Sequence, residues 1–281
     1  MPCGLLKRAC LLFSASPRLF VLLLKDKITM QLHRRVRLPR RAEINDIVVH
    51  FPASTDPAIP RMFLRVYERP TSELLRRFLK VGDVFIDVGA HIGYFSALAM
   101  GLVGRAGSVH SFEPLAENFA RLAELQADNP AYRLEIHQVA LGDAPGRVQF
   151  SVSSVETWNT LVPGFMRDPD RVVREVAVER LDTYLAERGF PDIGLLKIDA
   201  EGYEFPILKG LSGYWEATGY RPPIICEVVP HAYPLLGLTL GDLAGYMRRY
   251  GYTPVSIYNA RQIVVPAELR EITDILFLHL P

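Results

Sequence analysis

The sequence predicts an α/β protein: a three-layer αβα sandwich around a largely parallel sheet, with a basic N-terminal helical extension. Two observations carry this. From Val84 onward, short apolar runs alternate with segments of helical period, each bounded by turn residues. Before that point the alternation is missing, and residues 1–41 hold ten Lys or Arg against one acid, Asp26. The formal net charge of +1 therefore conceals +9 on the head and −8 on the remainder. No repeat appears with a period of roughly 20 to 50 residues, which excludes solenoids and propellers.

In chain order, "TSELLRRFLKVGD" from Thr71 has a Thr/Ser cap, an apolar face of Leu74, Leu75, Phe78 and Leu79, and Gly82 as its stop. It delivers the chain to a first strand, Asp83 to Val88. A helix follows between Gly93 and Gly104, then a second strand, "SVHSFE", ending on Glu113. "PLAENFARLAELQADN" reads as an amphipathic helix with Pro114 at its start. Arg133 to Leu141 alternates as a third strand, and "LGDAPG" is a turn. "GRVQFSVS" and "VREVAVERL" read as outlying strands around a polar loop, Ser154 to Asp170, that carries Trp158. A short helix at "LDTYLAERG" precedes the fourth strand, Gly194 to Ile198, and the fifth runs from Pro223 to Val229. A helix at Leu240 to Tyr250, the segment "YTPVSIY" and a last strand at "DILFLHL" complete the domain. We divide the chain into an extension, residues 1–64, and a domain, residues 65–281.

Composition narrows the class further. Apolar residues at 49% and charged residues at 22% describe a folding chain. Cys3, Cys10 and Cys226 form no C-x-x-C pair and have no His at metal spacing, so neither a disulfide framework nor a zinc site is indicated, and a cytoplasmic location is expected. The apolar run Leu19 to Leu24 is far short of the roughly 20 residues a membrane span needs. The basic head is open to three readings: a cap packed on the acidic domain, an amphipathic helix on a membrane surface, or a transit-like segment.

The turn after the first strand, "VFIDVGAHIGYFS", decides what the sheet binds. A dinucleotide site asks for G-x-G-x-x-G so that a pyrophosphate can reach the helix N-terminus. Here the pattern is D-x-G-x-x-x-G, formed by Asp87, Gly89 and Gly93. A carboxylate at Asp87 repels a pyrophosphate and attracts an ammonium group. S-adenosylmethionine suits such a turn, because it carries an amino group, a carboxylate and a ribose diol but no phosphate. Gly89 would let the backbone approach this cofactor and Gly93 would let the helix approach the strand. His91 and Tyr94 belong to the same cofactor-binding turn. Glu113, at the end of the second strand, is placed to accept both ribose hydroxyls. Leu141, Gly142 and Asp143 read either as an adenine wall with an acceptor for its amino group or as a plain turn.

These segments resemble the FkbM-type methyltransferases, class I adenosylmethionine enzymes, over about residues 65 to 280. The likeness rests on "YERPTSELLRRFLKVGDVFIDVGAHIGYFSALA", "FEPLAENFARL", "VALGD" and "LDTYLAERGFPDIGLLKIDAEGYEFPILKG". Many members have Asn where this chain has His91. The resemblance implies a Rossmann-like sheet of seven strands ordered 3-2-1-4-5-7-6 with the last antiparallel. It also implies methyl transfer, usually to an oxygen, on a sugar, glycan or natural-product hydroxyl. It does not cover the first 60 or so residues.

With the strand order so implied, Asp87, Asp199 and Glu227 end adjacent strands, and "KIDAEG" sets Lys197, Asp199 and Glu201 along that rim. These three are the candidate catalytic residues, with Asp199 as base, orienting acceptor or cation ligand and Lys197 holding the carboxylates. A hard divalent cation would suit Asp199, Glu201 and Glu227 as oxygen donors. Glu204 favours the N-terminus of the following helix, and His91 and His231 are alternative bases. Trp158 and Tyr203 read either as core packing or as stacking surfaces for a sugar ring, and the loop from Ser154 to Asp170 is the candidate acceptor lid.

The acceptor is expected to be a small molecule or glycan. Nucleic acid is disfavoured because residues 71–281 show no basic stretch interleaved with aromatics. An RNA or protein methyltransferase, and a membrane-recruited nucleoside-binding module without turnover, stay open as alternatives. A nicotinamide oxidoreductase conflicts with Asp87 and with the missing G-x-G-x-x-G.

Overall fold

The computed structural model describes residue 21 and residues 40–51, 58–153, 159–166 and 168–280. The elements in order are β1 (Arg41–Ile44), β2 (Ile47–His50), α1 (Ala58–Phe63), α2 (Arg69–Phe78), β3 (Val84–Val88), α3 (Tyr94–Val103), β4 (Ser108–Phe112), α4 (Ala116–Asp128), β5 (Arg133–His137), β6 (Ala140–Leu141), β7 (Gly146–Val152) and β8 (Val172–Glu179). They continue with α5 (Leu181–Ala186), β9 (Ile193–Ile198), α6 (Glu204–Lys209), α7 (Ser212–Thr218), β10 (Ile224–Val228), α8 (Leu240–Arg249), β11 (Tyr252–Ser256), β12 (Asn259–Ile263) and β13 (Thr273–His279).

The central sheet runs β12-β11-β13-β10-β9-β3-β4-β5. Strands β10, β9, β3, β4 and β5 are mutually parallel, and β13 is antiparallel to both β10 and β11. The sheet therefore has eight strands where the resemblance implies seven. The addition is β12, which pairs antiparallel with β11 at the edge. Its sequence, "NARQI", has no buried residue and so carries no alternation that could announce a strand.

Period-2 alternation sends neighbouring strand residues to opposite faces. Phe85, Val109, Leu195 and Ile225 pack with Leu74 and Leu75 of α2 and Phe95 and Leu98 of α3. Ile86, Phe112, Leu196 and Cys226 pack on the other face with Leu181, Ile207, Trp215 and Met247. This is the sandwich expected from the alternation of strands and helices. Cys226 is buried and forms no disulfide.

Three local expectations are corrected. Helix α2 starts at Arg69, with Glu68 at the cap position and Pro70 in the first turn, so Thr71 and Ser72 lie inside the helix and are buried. Proline fits a first turn, whose N–H groups lack helical partners. The third strand ends at His137; Ala140 and Leu141 leave the main sheet and pair with β8 in a side sheet ordered β6-β8-β7. The third concerns the extension. Ile44, Ile47, Val49, Phe51, Ile59 and Met62 join the core of the first face. The Asn129 side chain accepts from the Val48 N–H and donates to its carbonyl, both at 2.9 Å, as a neighbouring strand would. Packing thus carries the domain back to Arg41, past the boundary drawn after residue 64. The basic run before Arg40, Cys3, Cys10, Trp158 and the first part of the Ser154 to Asp170 loop lie outside the described residues. Among the described residues no helix is long and apolar enough to cross a membrane.

Candidate active site

The carboxyl ends of β3, β4 and β9 and the chain after β5 open onto one cavity. It lies where the strand order reverses, between β3 and β9, the place where open parallel sheets bind ligands. Of the predicted site residues, Gly89, His91, Tyr94, Glu113, Leu141, Lys197, Asp199 and Glu201 line it.

Gly89 has φ +76, and a Cβ there would sit 1.8 Å from the Asp199 carbonyl oxygen. The glycine is required by the crossing of the β3 and β9 ends, which Asp199 N–H also joins by donating to the Val88 carbonyl at 3.0 Å. Gly93 does not serve a helix–strand contact. A Cβ there would meet Leu122 and Leu125 of α4 at 2.8 and 2.9 Å, so it permits two helices to approach.

Asp87 is 1% exposed and lies beneath the cavity floor rather than on it. Its Oδ2 accepts from the Ser96 hydroxyl at 2.6 Å, and Oδ1 has no hydrogen-bond partner among the described residues. In register it stands between Lys197 of β9 and Ser111 of β4. Burial raises its pKa, against the pull of the Lys197 ammonium.

Glu113 ends β4 as expected. One oxygen accepts from His91 N–H and the other from Leu115 N–H, each at 2.9 Å. Burial nonetheless pushes its carboxyl up to about 7. Leu141 joins Phe112 and Val139 in an apolar wall beside it. Gly142 and Asp143 do not reach the cavity: Gly142 N–H donates to the Glu179 carbonyl at 2.9 Å, and Asp143 forms an ion pair with Lys209. For these two the plain-turn alternative matches the geometry.

His91 sits at φ 51, in the left-handed region that a residue with a Cβ disfavours. Asn visits this region more readily than most residues with a Cβ, because its short polar side chain can hydrogen-bond locally. His91→Asn is expected to raise stability in denaturant unfolding. A loss instead would mean that contacts of the imidazole outweigh the backbone relief.

At the end of β9, Lys197 Nζ donates to Asp199 Oδ2 at 2.8 Å and lies 4.8 Å from the centre of the Phe95 ring. Burial works to discharge this ammonium, but the carboxylates of Asp199, Glu68 and Asp87 hold its pKa above the usual lysine range. Glu201, at φ 47, is pushed up to about 8 by burial and by the nearby Asp199. Its carbonyl accepts from the Thr160 hydroxyl at 2.6 Å, tying the loop after β7 to the site. Glu227, at the end of β10, is raised to about 11 by burial, Asp199 and Glu201. Oxygens of Asp199, Glu201 and Glu227 lie within 4.8 Å of one another, close enough to share one cation.

The structure also brings in residues that motif reading missed. Ala58, Met62 and Tyr67 line the cavity from the N-terminal side, and Phe150, Asn159 and Leu161 line it from the side sheet and its loop. Glu68 and Asp274 join the acidic group around Lys197 and Asp199. Asn159 and Leu161 belong to the loop expected to cover the acceptor, and Tyr67 and Glu68 to a segment that carries the family resemblance; no motif marks Ala58, Met62, Phe150 or Asp274, which reach the site through tertiary contact. His231 is exposed and does not line the cavity.

Glu204 is fully buried, with Oε1 accepting from Gly202 N–H at 2.6 Å and Oε2 unpartnered. Burial raises its pKa from 4.5 to about 8. The folded-state value lies above the unfolded one, so its contribution is fully favourable below the unfolded value and is lost as pH climbs through the folded one. Glu204→Gln is therefore expected to match the parent in melting temperature near about pH 5 and to exceed it near about pH 8. A gap that does not change with pH would show that Glu204 stays ionised in the fold.

The residues that line the cavity fit an adenosylmethionine: an acid at the second strand end and an apolar wall beside it. Fold and cavity thus define a Rossmann-like methyltransferase. The FkbM methyltransferase domain matches residues 87–254, and the chain belongs to that family of S-adenosylmethionine-dependent enzymes. It is 31% identical over 215 residues to the 31-O-demethyl-FK506 methyltransferase FkbM of Streptomyces tacrolimicus, covering 63% of this chain and 75% of that one. The hexuronic acid methyltransferase AglP of Haloferax volcanii is 23% identical over 194 residues, 69% of this chain and 75% of AglP. The 2-O-methyltransferase NoeI of Sinorhizobium fredii is 26% identical over 171 residues, 53% and 68% of the two chains. Among solved structures, methyltransferase FkbM from Methylobacillus flagellatus KT aligns with a TM-score of 0.45 and 18% identity, over 74% of this chain and 50% of that one.

Proposed function

We propose that this enzyme methylates a hydroxyl oxygen on a sugar, glycan or natural-product acceptor. The observation that carries the reading is the rim of Lys197, Asp199 and Glu201, which faces the cavity across from Glu113. Lys197 occupies Asp199 Oδ2 and leaves Oδ1 to accept the proton of an acceptor hydroxyl. Bound adenosylmethionine would supply an activated methyl group. The protein's task is then to hold the hydroxyl in line and to take its proton. Glu113 would hold the ribose, and Asp87, next to Lys197, would set the charge beneath the floor. Gly89, His91, Tyr94 and Leu141 would complete the cofactor walls. The relatives named above include a 2-O-methyltransferase and a hexuronic acid methyltransferase, which favours a hydroxylated acceptor.

A second reading gives the rim a divalent cation, because three carboxylates converge on one volume. A cation held by Asp199, Glu201 and Glu227 would let a bound hydroxyl lose its proton more readily. One experiment addresses both: formation of adenosylhomocysteine with a panel of sugars and glycosides, after chelation and again with magnesium restored. Turnover indifferent to chelation removes the cation. Turnover with RNA and none with sugars, falling steeply with salt, would replace the acceptor class.

A further inference from the structure

A second group of metal-ligating side chains gathers on the sheet face under α5, and none of its members lines the cavity. Strand register explains how it forms. His110 of β4 stands opposite Glu135 of β5, and Phe112 stands opposite His137. Residues two apart on a strand share a face, so His110, Glu135 and His137 point to the same side of the sheet. Helix α5 brings Tyr184 into the group. Its hydroxyl oxygen lies 2.7 Å from His110 Nδ1, 2.8 Å from His137 Nε2 and 3.2 Å from Glu135 Oε2.

The separations are close to those of donors around one ion. One atom from each of His110, Glu135 and His137 lies within 4.8 Å of the others, and His110 Nδ1 is 3.6 Å from Glu135 Oε2. Four donors about 2.0 to 2.1 Å from a tetrahedral zinc ion stand roughly 3.3 Å apart. With the Tyr184 oxygen as the fourth, an ion enters once the tyrosine's hydrogen bonds open by about half an ångström. Strand β5 is the edge of the central sheet and the Glu135 side chain is 47% exposed, so the group can yield and is reached from solvent. Two imidazoles among the donors suit zinc, whereas magnesium and calcium take oxygens.

The surroundings support the same reading. His110 Nε2 lies 2.9 Å from the Ser108 hydroxyl, which can accept its proton and keep the Nδ1 lone pair turned to the group. Arg188 meets Glu135 Oε2 at 3.3 Å and lies over the Tyr184 ring at 3.7 Å from its centre. Its charge favours the ionised carboxylate and phenolate, which are the forms that ligate. Two anionic ligands against one guanidinium leave the site attractive to a cation.

We propose that His110, Glu135, His137 and Tyr184 form a binding site for one divalent transition-metal ion, zinc by its donor set, which ties β4 and β5 to α5. On binding, the Tyr184 O–H bond breaks, its proton passes to solvent and the oxygen forms a bond to the ion; no electron is transferred. Four protein donors leave no open position, so the ion is structural. His137 stacks on Phe112 of the cavity wall at 4.9 Å, and the site thereby backs the cofactor pocket without entering it.

The test uses the full chain stripped by a chelator, with zinc titrated against a chromophoric competitor and cobalt(II) as a spectroscopic probe. One zinc per chain should bind with release of a proton, and excess zinc should raise the melting temperature by a few degrees. Cobalt(II) should show the intense visible bands of a four-coordinate ion; a carboxylate-and-water site at the rim gives only weak ones. Zinc affinity should fall at least about tenfold in each of Glu135→Gln, His137→Gln and Tyr184→Phe, and stay at the parent value in Asp199→Asn. The cobalt spectrum of the parent decides the matter even where a variant fails to fold. Absence of zinc binding to the parent overturns the proposal, as do weak cobalt bands alone. Binding kept in His137→Gln but lost in Asp199→Asn assigns the ion to the rim and overturns it as well.

Discussion

Asp199→Asn is expected to lower kcat by roughly a hundredfold to ten-thousandfold while adenosylmethionine binds as in the parent. The substitution keeps the size of the side chain and its oxygen toward Lys197 Nζ, now 2.8 Å away. What it removes is the charge that accepts a proton. The sulfonium methyl needs no further activation, so loss of the proton acceptor should appear in kcat rather than in cofactor affinity. Single-turnover kinetics with saturating cofactor would measure it. An unchanged kcat would move the role of base elsewhere on the rim, with Glu201 the next residue to test.

Glu113→Ala is expected to weaken adenosylmethionine binding by about a hundredfold or more. A hydrogen bond to a charged group contributes about 1.5 to 3 kcal/mol, and about 1.4 kcal/mol is tenfold in affinity. Two such bonds to a ribose would suffice. The same carboxylate accepts the N–H groups of His91 and Leu115, so its removal also loosens the turn that follows β3. Calorimetric titration of the cofactor checks this directly. Parent-like affinity in a folded Glu113→Ala would mean that the nucleoside binds elsewhere in the cavity.

The parts of this molecule legible in sequence are those in which a strand ends and the next residues carry the chemistry. Asp87, Glu113 and Asp199 each close an apolar run, and the sheet brings the ends of β3, β4 and β9 together. The motif did not reveal what its glycines avoid. Gly89 clears a carbonyl of β9 and Gly93 clears two leucines of α4, neighbours distant in sequence. Glu68 was equally hidden. It sits in "YERPTSELL" as one more acid before a helix, and only the fold shows it half-buried at the start of α2 with a left-handed backbone. The β1–β2 hairpin escaped notice because its four-residue strands are too short for periodicity to register. Asp143 illustrates the reverse case. Its place after the third strand pointed to adenine, but a nearby lysine, Lys209, takes it out of the cavity.

Oxygen methylation of a hydroxylated acceptor is tested by where the transferred methyl group ends. The enzyme is incubated with adenosylmethionine carrying a deuterated methyl group and with the acceptor that gives turnover, and the labelled product is located by mass spectrometry and NMR. The account predicts one label per acceptor, attached to oxygen, and absent from the product of Asp199→Asn. A label on nitrogen or carbon, or on RNA or protein in place of a sugar or natural product, would contradict it.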